Sequence, residues 1–191
     1  MAGKSSWLDS GLVILGTAGP TGLTIDKLVA ATGLSTGSFY HHFSSMSGFK
    51  AALLAHFEEV HTTRYIREVA AAEQLDARGR LELLMDLVLA DDEPARLEIA
   101  IRAWALDDPV AAATKERVDA SRLAILRTLL QESGYAEVDA LHTARILYLL
   151  VLGAGNMLPA VPPEELGVLA RRVLTMPPTV VTELSSGAAQ P

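Results

Sequence analysis

The chain has 191 residues, 50% of them hydrophobic, only 5% aromatic and none cysteine, with a formal net charge of -7 at pH 7. That length suits one large domain or a small one beside a medium one, and so few aromatics leave Ala, Leu and Val to build the core, which favours helices over strands. The lack of Cys removes disulfide frameworks, thiolate metal sites and cysteine nucleophiles, and it fits a reducing cytoplasm.

Residues 1–6 are expected to form a mobile arm that places Lys4 for a phosphate, or simply a frayed terminus. Trp7, Leu8, Gly11, Leu12 and Leu15 then make one helical stripe. Gly11 costs that helix about 1 kcal/mol, tolerable if a neighbouring helix passes close there. Gly16 to Gly22 reads as loop from its Gly and Pro content. In the next stretch, LTIDKLVAATGLSTGSFYHHF, start and stop signals occur twice. Thr24 is an N-cap with Leu23 and Leu28 placed as a hydrophobic staple, and Gly33 suits the left-handed C-terminal position. Ser35 is a second N-cap, stapled by Leu34 and Phe39. Phe39 and Phe43 point inward together, while Gly37, His41 and Ser44 project to the other side with Thr36, Ser38 and Tyr40 on its flanks. Two capped helices joined by a Gly-containing turn read as a helix-turn-helix, whose Ser, Thr, Tyr and His can donate to phosphates or base edges. A plain helical hairpin with a solvated polar face satisfies the same spacing.

Ser45 caps a fourth helix with the stripe Phe49, Leu53, Phe57 and Val60, continuing past Arg64 toward Glu68. Gln74 to Gly79 is the expected break, and Leu81, Leu84, Met85, Val88 and Leu89 give a fifth helix. Asp91, Asp92, Glu93 and Pro94 cap and start a sixth, running through Trp104 to about Leu106. Asp108 and Pro109 start a seventh, which Gly134 ends. Asp139 opens the eighth, apolar nearly all round from Ile146 to Leu152, which suggests that a partner subunit covers part of it. Pro163 begins a ninth with Glu164 and Glu165 in its first turn and Arg171 and Arg172 in its last, and Pro177 and Pro178 stop it.

The longest apolar run, Ile146 to Leu158, is too short to span a bilayer, and the N-terminus lacks a charged-then-apolar signal pattern, so a soluble cytoplasmic chain with no membrane partner is expected. The acidic balance weighs against nucleic acid, but up to Lys50 the charges are Lys4, Lys27 and Lys50 against Asp9 and Asp26, with His41 and His42 in reserve. His56 and His61 lie well apart around a helix, and no carboxylate completes a metal site beside them. Helix capping accounts for Asp91, Asp92, Glu93, Asp107 and Asp108. No phosphate-cradling loop, nucleophile elbow or HExxH occurs; neither catalysis nor a cofactor is expected.

The run from Trp7 to Phe49 resembles the N-terminal domain of the TetR family of bacterial transcriptional regulators. The pieces that carry the likeness are WLDSGLVIL, the Gly19 loop, LTIDKLVAATGLSTGSFYHHF and SSMSGFKAAL, at matching offsets. The resemblance implies that Thr36 to His42 form the recognition helix in the major groove of double-stranded DNA, with phosphate contacts from Thr24, Tyr40 and His41. The expected DNA-facing set is then Thr24, Ser35, Thr36, Gly37, Ser38, Tyr40, His41, His42 and Lys50. Lys50 enters because Met46 stands where the family usually has a phosphate-gripping Lys, and Lys50 lies one turn further on the same side.

From Ala95 to Leu174, through WALDDPVAAATKERVD and the Leu-rich eighth helix, the chain resembles the C-terminal domain of many TetR-type regulators. That implies a homodimer in which the eighth and ninth helices form a four-helix interface, with Leu149, Leu152, Leu166, Leu169 and Val173 as candidates. It also implies a mostly apolar effector cavity, with Phe57, His61, Tyr65, Met85, Trp104, Tyr148 and Asn156 as candidate lining. The expectation is therefore an all-α chain of about nine helices: residues 1–50 a three-helix helix-turn-helix DNA-binding domain, 51–180 a ligand-binding and dimerisation domain, and 181–191 a disordered tail. The first functional hypothesis is a dimeric, effector-released repressor on a pseudo-palindromic operator. The second is a small-molecule or lipid carrier of the same fold with weakened DNA binding, motivated by Met46 and the acidic balance. An enzyme comes third.

Overall fold

The computed structural model describes residues 2–90 and 94–175, and among these every regular element is helical. Helices α1 (Ala2–Ala18), α2 (Ile25–Thr32) and α3 (Thr36–Phe43) form the head. A rod, α4, follows in three segments: Met46–Glu58, a π-helical turn at Glu59–Thr63, and Arg64–Ala71. The body adds α5 (Ala77–Leu89), α6 (Pro94–Trp104), α7 (Pro109–Glu132), α8 (Glu137–Asn156) and α9 (Pro163–Thr175).

The caps lie where local chemistry puts them. Thr24 accepts from the Lys27 N–H, Ser35 from Ser38, Ser45 from Gly48, and Asp108 from Val110 and Ala111. Gly33 ends α2 at φ 69°, its N–H donating to the Val29 carbonyl.

Four boundaries differ from expectation. Residues 2–6 are no arm: α1 begins at Ala2, and its first turn is held by α3, with the Lys4 ammonium 5.9 Å from the Phe43 ring centroid. The loop after α1 is shorter than Gly16 to Gly22, because Gly16 packs beside the Leu97 backbone and the Thr17 hydroxyl donates back to the Val13 carbonyl, keeping Gly16–Ala18 helical. Asp76 accepts from the Gly79 N–H and draws Ala77–Gly79 into α5. Helix α8 starts at Glu137, not Asp139, which instead sits in its first turn, where a carboxylate suits the positive end of the helix dipole. Asp91, Asp92, Glu93, Pro177, Pro178 and the 181–191 tail lie outside the described residues.

Two apolar cores result. The first joins Trp7, Leu12 and Leu15 of α1 with Leu28, Phe39, Phe43, Phe49, Leu53 and Phe57, and then continues into Leu97, Ile101 and Trp104 of α6 and Val118 of α7. It crosses the boundary placed near residue 50, which falls inside α4. The second gathers Tyr65, Val69, Leu81, Leu84, Leu129, Leu130, Ala140 and Ala144. Helix α8 is long and apolar enough by length and composition to cross a bilayer, yet here it packs against α6, α7 and α9.

Gly11 faces α4 so closely that a Cβ there would stand 2.8 Å from the Phe49 ring and 2.9 Å from Leu53. A helix does pass close, so propensity is outweighed by overpacking, which costs about 1–3 kcal/mol in a filled core. Gly11→Ala is therefore expected to lower, not raise, the midpoint of denaturant unfolding, although propensity alone favours Ala by about 1 kcal/mol.

Candidate nucleic-acid interface and effector cavity

Helix α3 is anchored by one side only. Phe39 is fully buried, its ring edge-on to Trp7 at 5.5 Å and tilted against Phe43 and Phe49 at 5.3 Å. With that side fixed, the opposite side faces outward: Thr36, Gly37, Tyr40 and His41 are exposed, as are the capping residues Thr24 and Ser35. Ser38 and His42 are half-buried, His42 being turned toward Gly3 of α1. A Cβ on Gly37 would meet only Ser35 Oγ, at 3.8 Å, so nothing inside the protein requires glycine there. What remains is an open surface that a backbone-sized object can approach closely.

Lys50 is not gathered with this group. Its ammonium lies 5.6 Å from the Trp104 ring centroid, and its charge helps hold the Asp108 carboxyl below the usual range, behind the larger effect of the backbone N–H of Ala111. It sits at the junction of head and body, beside Trp104 and Asp108. Met46 packs against the first core, as an apolar residue there would.

Between α4, α5, α6, α7, α8 and α9 lies a cavity of about 480 Å³, within the roughly 300–1,000 Å³ common for small-molecule sites. Of the candidate lining residues, Phe57, His61, Tyr65, Met85, Tyr148 and Asn156 border it. Trp104 does not: it is buried in the first core beneath Lys50, because α6 turns that residue toward the head. Leu152 and Leu166, expected at a dimer interface, also face the cavity. Leu169 and Val173 are half-buried. Of the expected interface residues only Leu149 is openly exposed, at 65%, and it shares the outer surface with Ile146 at 51% and Val168 at 53%.

One end of the cavity is polar. Arg122 of α7 donates from Nε to Thr62 Oγ1 at 3.0 Å, from Nη1 to Glu98 Oε2 at 3.0 Å and from Nη2 to the His61 carbonyl at 3.1 Å, so it clasps the π-helical turn of α4. Glu98 is also engaged by Lys115 and Arg102, and Asp119 bridges Lys115, Arg102 and the Tyr148 hydroxyl. Burial opposes ionisation of Glu98, but Arg122 and Lys115 outweigh it and hold the carboxyl below the usual range. For Lys115 burial is the stronger influence and Arg122 repels it, so its ammonium is pulled below the usual lysine range in spite of Glu98 and Asp119. Burial also pushes the Tyr148 phenol up, keeping it a donor. The only sequence signal for this cluster was charge at i,i+4 spacing, Glu98 with Arg102 and Lys115 with Asp119, which on its face describes a solvated helix surface.

Three outcomes are expected. Removing one partner from a buried ionic cluster costs about 3–5 kcal/mol, so Glu98→Ala should show that loss in denaturant unfolding. A depressed carboxyl contributes fully above its unfolded pKa and loses that contribution as pH falls through the lower folded value. The unmodified chain should therefore lose stability below the ordinary carboxylate range, and Glu98→Gln should flatten that acid slope. In a salt titration of DNA affinity, Lys50→Ala should leave the slope unchanged, whereas a phosphate ligand would reduce it by about one.

Residues 8–57 match the sequence profile of bacterial regulatory proteins of the tetR family. No curated protein matches the chain in sequence. Among solved structures, it is similar to a TetR transcription regulator from Haloarcula marismortui, with TM-score 0.72 and 20% identity over 91% of this chain and 95% of that one. It is similar to reduced NemR from E. coli, with TM-score 0.72 and 21% identity over 95% and 100% of the respective chains. Salmonella enterica GusR aligns with TM-score 0.69 and 19% identity over 92% and 93%. Identities this low speak for the fold, and the sequence match speaks for the head. Residues 8–57 thus belong to the tetR family of bacterial regulatory proteins, and the chain has the TetR-type fold.

Proposed function

We propose that the protein is an effector-responsive transcriptional regulator, a repressor that binds a pseudo-palindromic site on double-stranded DNA as a homodimer in the cytoplasm. The observation that carries the reading is α3: its aromatic side is locked into the core, and Thr36, Gly37, Tyr40 and His41 stand exposed together on the other. Thr24 and Ser35 lie at the N-termini of α2 and α3, where N–H groups and hydroxyls suit phosphate. Two such helices are needed to read successive major grooves, and a symmetric dimer supplies them. The exposed Ile146, Leu149 and Val168 support α8 and α9 as the paired surface, and the open space over Gly153 allows a helix from a second copy to approach.

Helix α4 is the proposed transmission. Its first segment is buried in the head core through Phe49, Leu53 and Leu54, and its π-helical turn borders the cavity through His61 and Thr62. An effector there would favour a tilt of the rod that sets the two heads at the wrong spacing, and a coupling of about 1–3 kcal/mol suffices to change affinity severalfold or more.

The carrier reading keeps one observation in its favour: Met46 is apolar and packed inward, leaving the site without the family's usual cation. Selection of bound sequences from random duplex DNA with the purified dimer separates the two. A palindromic motif is expected, with Tyr40→Ala weakening binding by about 1.5–3 kcal/mol, the worth of a hydrogen bond to a charged group, and Gly37→Glu abolishing it through repulsion and bulk. Absence of enrichment at low salt would favour the carrier.

A further inference from the structure

The cavity is apolar over most of its wall, but its polar end is not neutral. Among the described residues, three cations, Arg102, Lys115 and Arg122, meet two carboxylates, Glu98 and Asp119, in one connected cluster. The adjoining Arg117–Glu58 and Arg67–Glu59 pairs cancel within themselves. Tyr148 stays protonated and brings no charge. Lys115 stands between the Glu98 and Asp119 carboxylates, within ion-pair distance of both, and counts with them as an ion. One positive charge is left over in a cluster that reaches the apolar cavity wall through Arg122 and Glu98.

The chemistry of the surplus picks the ligand. Glu98 reaches the cavity wall, but its carboxylate is already shared by Lys115, Arg102 and Arg122, so a cationic ligand would compete with three resident partners and add to the excess. Arg122 also borders the cavity, its guanidinium 5.8 Å from the Phe57 ring centroid. A planar guanidinium at an apolar wall suits a carboxylate, through charge-assisted bonds of matching geometry. Resting on the effector-cavity reading above, we propose that the effector is an apolar monocarboxylate, its headgroup held by Arg122 and its chain lying along Leu84, Met85, Val88 and Ile125. The headgroup then bears on the residue that clasps the π-helical turn at His61 and Thr62, so binding acts directly on α4.

The test compares three probes of one chain length, decanoate and decylamine below their micelle-forming concentrations and decan-1-ol below its solubility limit, by calorimetry with the full chain. Decanoate is expected to bind at least about tenfold more tightly than decan-1-ol, the return on one charge-assisted hydrogen bond, with decylamine weakest. Arg122→Gln should bring decanoate down to the level of decan-1-ol and leave decan-1-ol itself unchanged. If that variant fails to fold, the ranking in the unmodified chain decides alone. Decan-1-ol or decylamine binding as tightly as decanoate overturns the carboxylate preference while leaving the cavity an effector site. A preference that survives Arg122→Gln overturns the role of Arg122. Failure of all three to bind a protein that still selects a palindrome overturns the effector-cavity reading together with this inference.

Discussion

The aromatic cluster of Trp7, Phe39, Phe43 and Phe49 is the constraint on which the head depends. Helix α3 spans only eight residues, too few to be stable alone, so its existence and its roll angle both come from burial of one side. Once Phe39 and Phe43 are committed inward, the helical period leaves no choice about where Gly37, Tyr40 and His41 go. The same cluster ties the head to α4, since Phe49 belongs to the rod's first segment. A rotation of α4 therefore carries α3 with it.

The rod reaches both parts of the molecule without a break. Its irregular place is the π-helical turn at Glu59–Thr63, where the His61 carbonyl accepts from Arg122. That turn borders the cavity, so the irregular part of α4 coincides with part of the cavity wall. Next to it the ionic cluster of Glu98, Asp119, Arg102, Lys115 and Arg122 ties α6, α7 and α4 together by charge-assisted contacts.

Local chemistry was readable residue by residue wherever partners lie within a few positions. The caps at Thr24, Ser35, Ser45 and Asp108 and the stop at Gly33 involve only neighbours in the chain, which is why sequence reasoning found them. It failed where a distant helix intervenes. Gly16–Ala18 stays helical because Leu97 packs beside it, and the first turn of α1 stays helical because α3 lies against it. Trp104 looked like a cavity residue by type, yet it belongs beneath Lys50 at the junction, and the side of α6 that meets the head is a matter of packing.

By itself the sequence determined the helical class, the two capped helices of the head and the polar surface between them, because caps and the 3.6-residue period are local physics. It also named six residues that stand along the cavity wall, Phe57, His61, Tyr65, Met85, Tyr148 and Asn156, from their types and their places on α4, α5 and α8. Only the tertiary structure decided that Leu152 and Leu166 face the cavity while Leu149 faces out, and that Arg102, Lys115 and Arg122 converge on Glu98 and Asp119. Those placements depend on how helices far apart in the chain are rolled against one another, and no spacing within one helix encodes that angle.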